Sequence, residues 1–514
     1  MIDLDKILFI DIETDHNGNI LMVGCMDKDK YMFFNTAIDF YNFYKKSDYK
    51  KIYAYNLEFD FFRIYQDFNE DIKKEFRFRA MFNTAGVIYI QQGKRYWYDL
   101  MLHYSSGLKS FGEIIGLKKL NIDYNKMVLN SDLIEYNKRD LELTREMYIQ
   151  LNNIYNQEGN KFKASISSVA FEIFNKKFYG GTYKKIDQQV KNDWRMAYKG
   201  GLCEVYATGH FYAKSNKMFV LIDVNSLYPY VMINQYPDPY DYIKIDKDKF
   251  NKNMINDKDW LAVSYMNNIG YTNIEYNIED IDFDIIYIFN KKCYPFKRFI
   301  EYFYNKKEKA KNKFERFIYK RIMNSLYGKF GQKDSVEVII SNPDKKILHK
   351  KNILSYEQIY EGLYKIEMKS DKYFSNIIWS VWTCAMARRK MRNDIEFFRN
   401  YCDVYYIDTD GLIIETDKKT LKMFEKEKII CNEIGWYKIE AVAKVLKILG
   451  KKMYIIGDMI KVKGIEKNKQ QEFINNGKVE CERMIKLRTA LKKNKKIGSF
   501  EKRLIINKNN QIDP

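Results

Sequence analysis

Six prolines in 514 residues, none before Pro229, and no Gly/Ser-rich or low-complexity stretch leave this chain without a linker that composition could mark. Its domain boundaries therefore have to be read from motifs. The seven cysteines, at 25, 203, 293, 384, 402, 431 and 481, form no CxxC pair, and the four histidines lie far apart. That spacing argues against a zinc ribbon and a disulfide scaffold. No apolar run approaches the roughly 20 residues of a membrane-spanning helix, and the opening MIDLDKILFIDIETD is acidic where a secretory signal is basic. The expectation is a soluble protein in a reduced compartment, with no internal repeat.

What the chain does have is length, charge and aromatic residues. At this length one core is not enough, and two or more domains are expected. The formal net charge is +20, and it is unevenly spread: residues 441–514 carry 19 Lys and Arg against 7 Asp and Glu. Such a segment either holds a phosphate backbone or is a solvated helix surface; the interleaving of Tyr454 with Lys451 and Lys452 favours the first. The abundance of Lys, Asn, Ile and Tyr fits an AT-rich genome. Residues 7–12 and 20–25 read as strands flanking the turn HNGN, and 131–155 as a helix with Ser131 as N-cap, which makes the N-terminal part an α/β domain. Apolar residues at three- and four-residue steps predict a helix pair or amphipathic hairpin over 297–327, stopped by Gly328. Alternation in VEVII and LYKIEM predicts a β-hairpin-like insertion between 332 and 372.

Two groups of acidic residues stand out. In YIDTDG, residues 406–411, Asp408 and Asp410 lie two apart in a strand-like setting, so alternation puts both carboxylates on one face, with Gly411 supplying a tight turn. The bland alternative is an acidic hairpin turn. A third carboxylate, Asp223, ends the apolar run Phe219–Ile222, which reads as a buried strand, and Pro229 then breaks the strand pattern. Two Mg²⁺ ions, which favour oxygen ligands, would sit between Asp223, Asp408 and Asp410, bridging a nucleoside triphosphate and activating a 3′-hydroxyl. The second group is upstream. Asp11 and Glu13 share a strand face, NLEFD offers Asp60, and YNKRD places Tyr136 and Asp140 four apart on a helix. These four carboxylates would bind two metals for phosphodiester hydrolysis, with the Tyr136 hydroxyl orienting the water. Singly, each segment reads as ordinary acidic surface.

DVNSLYP, KRIMNSLYGKFG (320–331) and YIDTDG resemble, in this order, the three polymerase motifs of family B DNA polymerases, and the upstream carboxylates resemble that family's 3′–5′ exonuclease. YKGG at 198–201 is similar to the segment joining the two halves in the protein-primed branch, and KMY (452–454) and KVKG (461–464) to its primer-binding segments. The resemblance spans essentially the whole chain. It implies an α/β and α+β multidomain protein. An RNase H-like exonuclease domain (1–165) would be followed by a right-hand polymerase: palm and fingers over 166–440, interrupted by insertions at about 231–296 and 332–372, and a basic thumb region over 441–514.

The same resemblance implies residue roles. Lys320, Asn324 and Tyr327, on one helix face, would meet the incoming nucleotide, with Lys307 or Lys306 as a second triphosphate contact. Tyr228 would exclude a ribose 2′-hydroxyl, and Val224 would lend its carbonyl to a metal. Thr14, Asn56, Phe59 and Leu108 would hold single-stranded DNA, Phe59 as a stacking platform, although Phe59 and Leu108 also read as core residues. Lys119 would assist the scissile phosphate, and Tyr198, Gly200, Lys452 and Tyr454 would contact DNA. Two departures are visible: SGLK at 106–109 has Gly107 where many relatives carry Ser, and Gly411 likewise replaces Ser. The implied cofactor is Mg²⁺, two ions per site, with Mn²⁺ as a substitute. The implied partners are primer-template DNA, dNTPs and a terminal protein primer met by the first insertion, while the second insertion encircles DNA. The setting would be a linear viral or plasmid genome, in a bacterial cytoplasm or an organelle. The alternatives are an RNA- or DNA-primed family B polymerase, or an exonuclease whose polymerase half only binds DNA.

Overall fold

Ile7, Leu8, Phe9 and Ile10 are all buried, as an apolar run must be when both faces of its strand are covered. The computed structural model describes residues 4–28, 30–83, 86–123, 127–370, 376–485, 487–493, 495–497, 500–508 and 511–512. In it the strand Ile7–Thr14 pairs parallel with Lys51–Ala54 and antiparallel with Ile20–Asp27. Its alternate side chains go to opposite layers. Ile7 and Phe9 pack with Leu141, Leu143 and Met147 of the helix Ser131–Gln157. Leu8, Ile10 and Ile12 pack with Leu57 and Phe61 of the helix Leu57–Asp67. The α/β reading of this region holds. Its long helix is capped by Asn130, whose side chain accepts from the Leu133 amide, and not by Ser131, which is already inside the first turn.

The sheet is larger than expected. From one edge to the other it runs Ile353–Tyr360, Leu363–Lys369, Ser335–Ser341, Arg79–Asn83, Gly86–Gln92, Arg95–Asp99, Lys51–Ala54, Ile7–Thr14, Ile20–Asp27 and Lys30–Phe34. The second insertion is thus a three-stranded extension of the N-terminal sheet, joined where Ser335–Ser341 pairs antiparallel with Arg79–Asn83. Residues 371 and 372, which closed the expected insertion, lie outside the described residues.

A second, five-stranded antiparallel sheet runs Tyr437–Ala443, Lys217–Val224, Gly411–Asp417, Asp403–Asp408, Cys203–Val205. The first insertion carries a four-stranded sheet of its own, and the basic C-terminal region builds a three-stranded one and, together with Gly209–Tyr212, a four-stranded one. The predicted helix pair is present as Lys297–Glu308 and Lys313–Phe330. Gly328 does not stop it; the helix runs on to Phe330 and is capped by Gly331, because Phe330 is buried against Phe174, Phe296 and Trp379 and that burial outweighs the weak helix propensity of Gly328. Pro229 lies inside the first turn of the short helix Leu227–Met232, where its missing amide costs little.

The parts share cores. Phe314 and Phe317 of the second helix pack, tilted and edge-on, against Tyr104 and Phe111 of the N-terminal unit. At the C-terminal end Ile485, Leu487, Ala490 and Leu491 enter the same cluster as Phe61 and Phe62, and Gln66 fixes that segment through Ile497 N–H (2.7 Å) and Lys495 O (3.0 Å). All seven cysteines are free, and among the described residues no helix is long and apolar enough to cross a membrane. The cap assignment has a direct test. Asn130→Ala should lower stability by about 1 kcal/mol in chemical denaturation, whereas Ser131→Ala should stay within about 0.5 kcal/mol of the parent.

Candidate active sites

In the five-stranded sheet, Lys217–Val224 lies between Gly411–Asp417 and Tyr437–Ala443, and its register sets Asp223 beside Gly411 on one side and Lys438 on the other. Asp408 and Asp410 do not share a strand, which corrects the alternation argument. Asp408 ends one strand, Thr409 and Asp410 form a two-residue turn, and Gly411 opens the next, with Asp408 paired to Gly411. The left-handed residue is Thr409, at φ +65°, and not Gly411. A β-branched side chain is strained there, so the turn has to be held from outside. It is held from two sides: the Thr409 amide donates to Leu202 O (2.6 Å), and the Val224 amide donates to Asp410 O (2.8 Å). The acidic hairpin and the carboxylate corner are therefore one object.

The electrostatics of this corner call for a cation. Burial and the neighbouring Asp223 and Asp408 push the Asp410 carboxyl up to about 6. Asp223 is likewise raised, by burial and then by Glu440. Lysine ammonium groups supply part of the missing positive charge: Lys438 Nζ lies 3.2 Å from Asp223 and 2.8 Å from Glu440, and Lys452 Nζ lies 3.5 Å from Asp408. Among the described residues no group of three or more His, Cys, Asp or Glu side chains is drawn in closely enough to hold a metal ion. The donor set, three carboxylates with no nitrogen or sulfur ligand, still fits a hard divalent cation. Beside it opens a cavity of about 580 Å³ lined by Asp408, Thr409, Asp410, Lys452, Lys461 and Lys463, suited to an anionic chain end.

Facing this corner is the helix Lys313–Phe330. Lys320 is exposed, Asn324 donates to Lys320 O (3.0 Å), and Tyr327 lies on the same face. The Tyr228 and Tyr327 rings stack at 4.8 Å and 7° from parallel. Of the two alternative lysines, Lys306 is taken by Glu158 at 3.1 Å. Lys307 is buried against Glu308 and the Tyr304 ring, where burial lowers its ammonium pKa and Lys320 and Arg316 add to the effect. Lys307 therefore shares the electrostatic surroundings of Lys320.

The upstream carboxylates converge as expected. Asp11 and Glu13 come from the central strand, Asp60 from the helix Leu57–Asp67, Asp140 and Tyr136 from Ser131–Gln157. Glu13, Asp60 and Asp140 are 7%, 2% and 4% exposed. Burial raises all four carboxyls; Glu13 reaches about 7, with Asp140 adding to it, and Asp11 is raised further by Glu13, Asp60 and Asp140. Asp60 Oδ2 and Asp140 Oδ1 are buried without a hydrogen-bond partner. Orphaned carboxylate oxygens in an oxygen-only cluster fit a divalent cation. Lys119 pairs with Asp140 and lies over the Tyr136 ring, 4.8 Å from its centroid.

Three residues of this site are invisible to motif reading. Asn137, fully buried, donates to Asp11 Oδ2 (3.0 Å) and Glu13 Oε1 (3.4 Å), and accepts from Tyr31 OH (3.1 Å). Gly24 makes room for it, since a Cβ there would lie 1.7 Å from Asn137 Oδ1. Asp99 accepts the Asn56, Leu57 and Met101 amides at 3.0, 3.2 and 2.8 Å, fixing the left-handed Asn56 (φ +74°) at the start of the Asp60 helix.

The residues assigned to DNA fare differently. Thr14 and Asn56 are half-buried near the carboxylates, and Phe59 is half-buried against the core. Leu108 is a core residue of the helix Leu108–Ile115, and the Gly107 amide before it donates to Tyr55 OH. Tyr454 is also core, packed on the Tyr406 ring beneath Lys461, so no face of it is free for a base. Lys452 stays at the cavity rim, Tyr198 packs on Gly331, and Gly200 is exposed.

The family described as DNA polymerase type B, organellar and viral, matches residues 102–275 and 260–410. A probable DNA polymerase of Neurospora intermedia is 27% identical over 387 residues, covering 64% of this chain and 38% of that protein. The figures for a DNA polymerase of Kluyveromyces lactis are 26%, 65% and 38%, so the chain spans little more than a third of these relatives. A DNA polymerase of Acidianus bottle-shaped virus is 23% identical, over 67% of this chain and 51% of its own length. In fold the chain is similar to phi29 DNA polymerase solved with primer-template DNA and incoming nucleotide substrates, at a TM-score of 0.74 and 17% identity, with 98% of this chain and 100% of that one covered.

The upstream cluster makes a prediction that needs no substrate. Asn137→Ala should weaken its divalent-cation binding by about 10- to 100-fold in calorimetric titration with Mg²⁺ or Mn²⁺. Unchanged affinity would remove Asn137 from the site.

Proposed function

The chain belongs to the organellar and viral type B DNA polymerases, and on that premise we propose that it is a DNA-directed DNA polymerase with a 3′–5′ proofreading exonuclease, using Mg²⁺, two ions per site, with Mn²⁺ as a substitute. The observation that carries this reading is the strained Asp408–Thr409–Asp410 turn set against Asp223, facing Lys320 and the Tyr228–Tyr327 stack. When bound, the divalent cations neutralise the triphosphate and activate the primer 3′-hydroxyl at this site, and activate water at the upstream one.

The side chains supply the rest. Lys320 and Lys307 meet the triphosphate and stabilise charge developing on it during transfer. Tyr228, fixed by its stack on Tyr327, forms the floor under the nucleotide sugar and leaves no space for a 2′-hydroxyl. Val224 would offer its backbone carbonyl to a metal held by Asp223, Asp408 and Asp410. Upstream, Tyr136 orients the attacking water, Lys119 moves from Asp140 to the scissile phosphate, and Thr14, Asn56 and Phe59 hold the frayed 3′ end. Lys452, Lys461 and Lys463 line the cavity next to the turn and grip the primer backbone without reading sequence.

Protein-primed replication of a linear viral or plasmid genome, in a bacterial cytoplasm or an organelle, completes the proposal. Two insertions and YKGG support it: the first insertion would receive a terminal protein, and the second would close round the DNA.

Primer extension is the direct test. With Mg²⁺ and dNTPs on a labelled primer, the parent protein should extend; Asp410→Asn should abolish extension and keep degradation of single-stranded DNA, and Asp11→Ala should do the reverse. An inert parent protein would sink the proposal. A separate assay reads the sugar floor: Tyr228→Val should incorporate ribonucleotides, and unchanged sugar discrimination would remove Tyr228 from that role.

A further inference from the structure

The segment Tyr198–Lys199–Gly200–Gly201 is gripped on one side by the first insertion and touches the catalytic turn with the other. Arg388, buried in the helix Ile377–Arg399, uses its whole guanidinium. Nη1 donates to Lys199 O (2.7 Å) and Gly200 O (2.9 Å). Nε donates to Glu275 Oε1 (2.8 Å), and Nη2 to Glu275 Oε2. Glu275 lies just past the insertion strand Ile269–Thr272, and its carboxylate is as buried as its partner. A planar, charge-assisted fork of this kind fixes orientation as well as distance.

Three further contacts bind the insertion to this segment and to the residues just before it. Lys199 Nζ lies over the rings of Tyr271 and Tyr276, at 5.8 and 5.6 Å. Gly270 approaches so closely that a Cβ on it would lie 2.5 Å from Ala197 N. Asp193, in the helix just before the segment and fully buried, accepts from Tyr287 OH and Tyr265 OH (3.1 Å), both in the insertion.

The other face meets the turn. A Cβ on Gly201 would lie 2.8 Å from Thr409 Cγ2, and Leu202 O accepts the Thr409 amide. That bond holds a β-branched residue in the left-handed region between Asp408 and Asp410.

We propose that Glu275 and Arg388 are positioning residues for polymerisation: the first insertion, through this ion pair, fixes residues 199–202, and these fix the Thr409 turn that aims Asp408 and Asp410. The proposal rests on the polymerase reading for its consequence, but not for its geometry. A macromolecule bound to the insertion that moved Glu275 would tune synthesis without entering the active site.

The test compares the full-length chain with Glu275→Gln, which keeps shape and removes charge. Amide hydrogen exchange of the peptide covering 405–412 should accelerate about 10-fold or more, primer extension should slow about 10- to 100-fold with a higher Mg²⁺ concentration needed for half-maximal rate, and single-strand degradation should be unchanged. Glu275→Asp should recover part of the loss. Unchanged exchange at 405–412 overturns the proposal whatever the activity, and so does a parallel fall of both activities in a protein with the parent's thermal midpoint. An inert parent protein with accelerated exchange in the variant would sink the polymerase reading alone. If Glu275→Gln does not fold, Gly201→Ala decides. It should slow extension by clashing with Thr409 Cγ2, and Gly201→Ala/Thr409→Ser, which deletes that methyl, should restore it; Gly201→Ala extending at the parent rate overturns the proposal.

Discussion

The region round Asp223, Asp408 and Asp410 is organised round one unfavourable conformation. A β-branched residue in the left-handed region costs on the order of 1–3 kcal/mol and persists only where surrounding contacts determine it. Thr409 is such a residue, and the contacts come from segments remote in sequence: Leu202 O takes its amide, and Val224 N–H takes the carbonyl of the next residue. The reason to keep the strain is geometric. A two-residue turn at this place sends Asp408 and Asp410 toward Asp223 from one hairpin end, whereas an extended chain would carry Asp410 on past the sheet.

Both carboxylate clusters also store electrostatic repulsion. Burial and neighbouring carboxylates raise Asp410 at one site and Asp11 at the other, so each site gains stability from whatever cation enters it. Lys119 touches Asp140 in the upstream cluster and Lys438 touches Asp223 in the other, and a divalent ion held by these carboxylates would compete with them.

Much of this was legible in the sequence, though not always for the right reason. The i, i+2 spacing of Asp408 and Asp410 is common to a strand face and to a tight hairpin; the conclusion that they act together survives, while the alternation argument does not. Asp11 and Glu13 do obey alternation, because their strand is flanked on both sides and cannot turn. Asn137 carried no signal, since its meaning depends on Gly24 leaving a gap for it. Tyr454 shows a local limit: lysines interleaved with an aromatic residue read as an exposed basic surface, but the ring points inward onto Tyr406. The second insertion shows the limit most clearly. Its hairpin follows from alternation, yet its partner strand Arg79–Asn83 is too remote in sequence for periodicity to find.

The parts are joined in two different ways, and the difference bears on how they communicate. The helix Lys313–Phe330 rests on the N-terminal unit through Phe314 and Phe317 against Tyr104 and Phe111, and the C-terminal segment rests there through Leu487 and Leu491. Burying each such side chain is worth roughly 1.5–3 kcal/mol, without strict direction; contacts of this kind hold bodies together and tolerate small shifts. The segment 198–202 is held by a guanidinium fork, two carbonyls and one amide, which are directional and weaken steeply when misaligned. A small displacement of the first insertion is therefore transmitted through these polar contacts, and the turn bearing Asp408 and Asp410 is where that transmission ends.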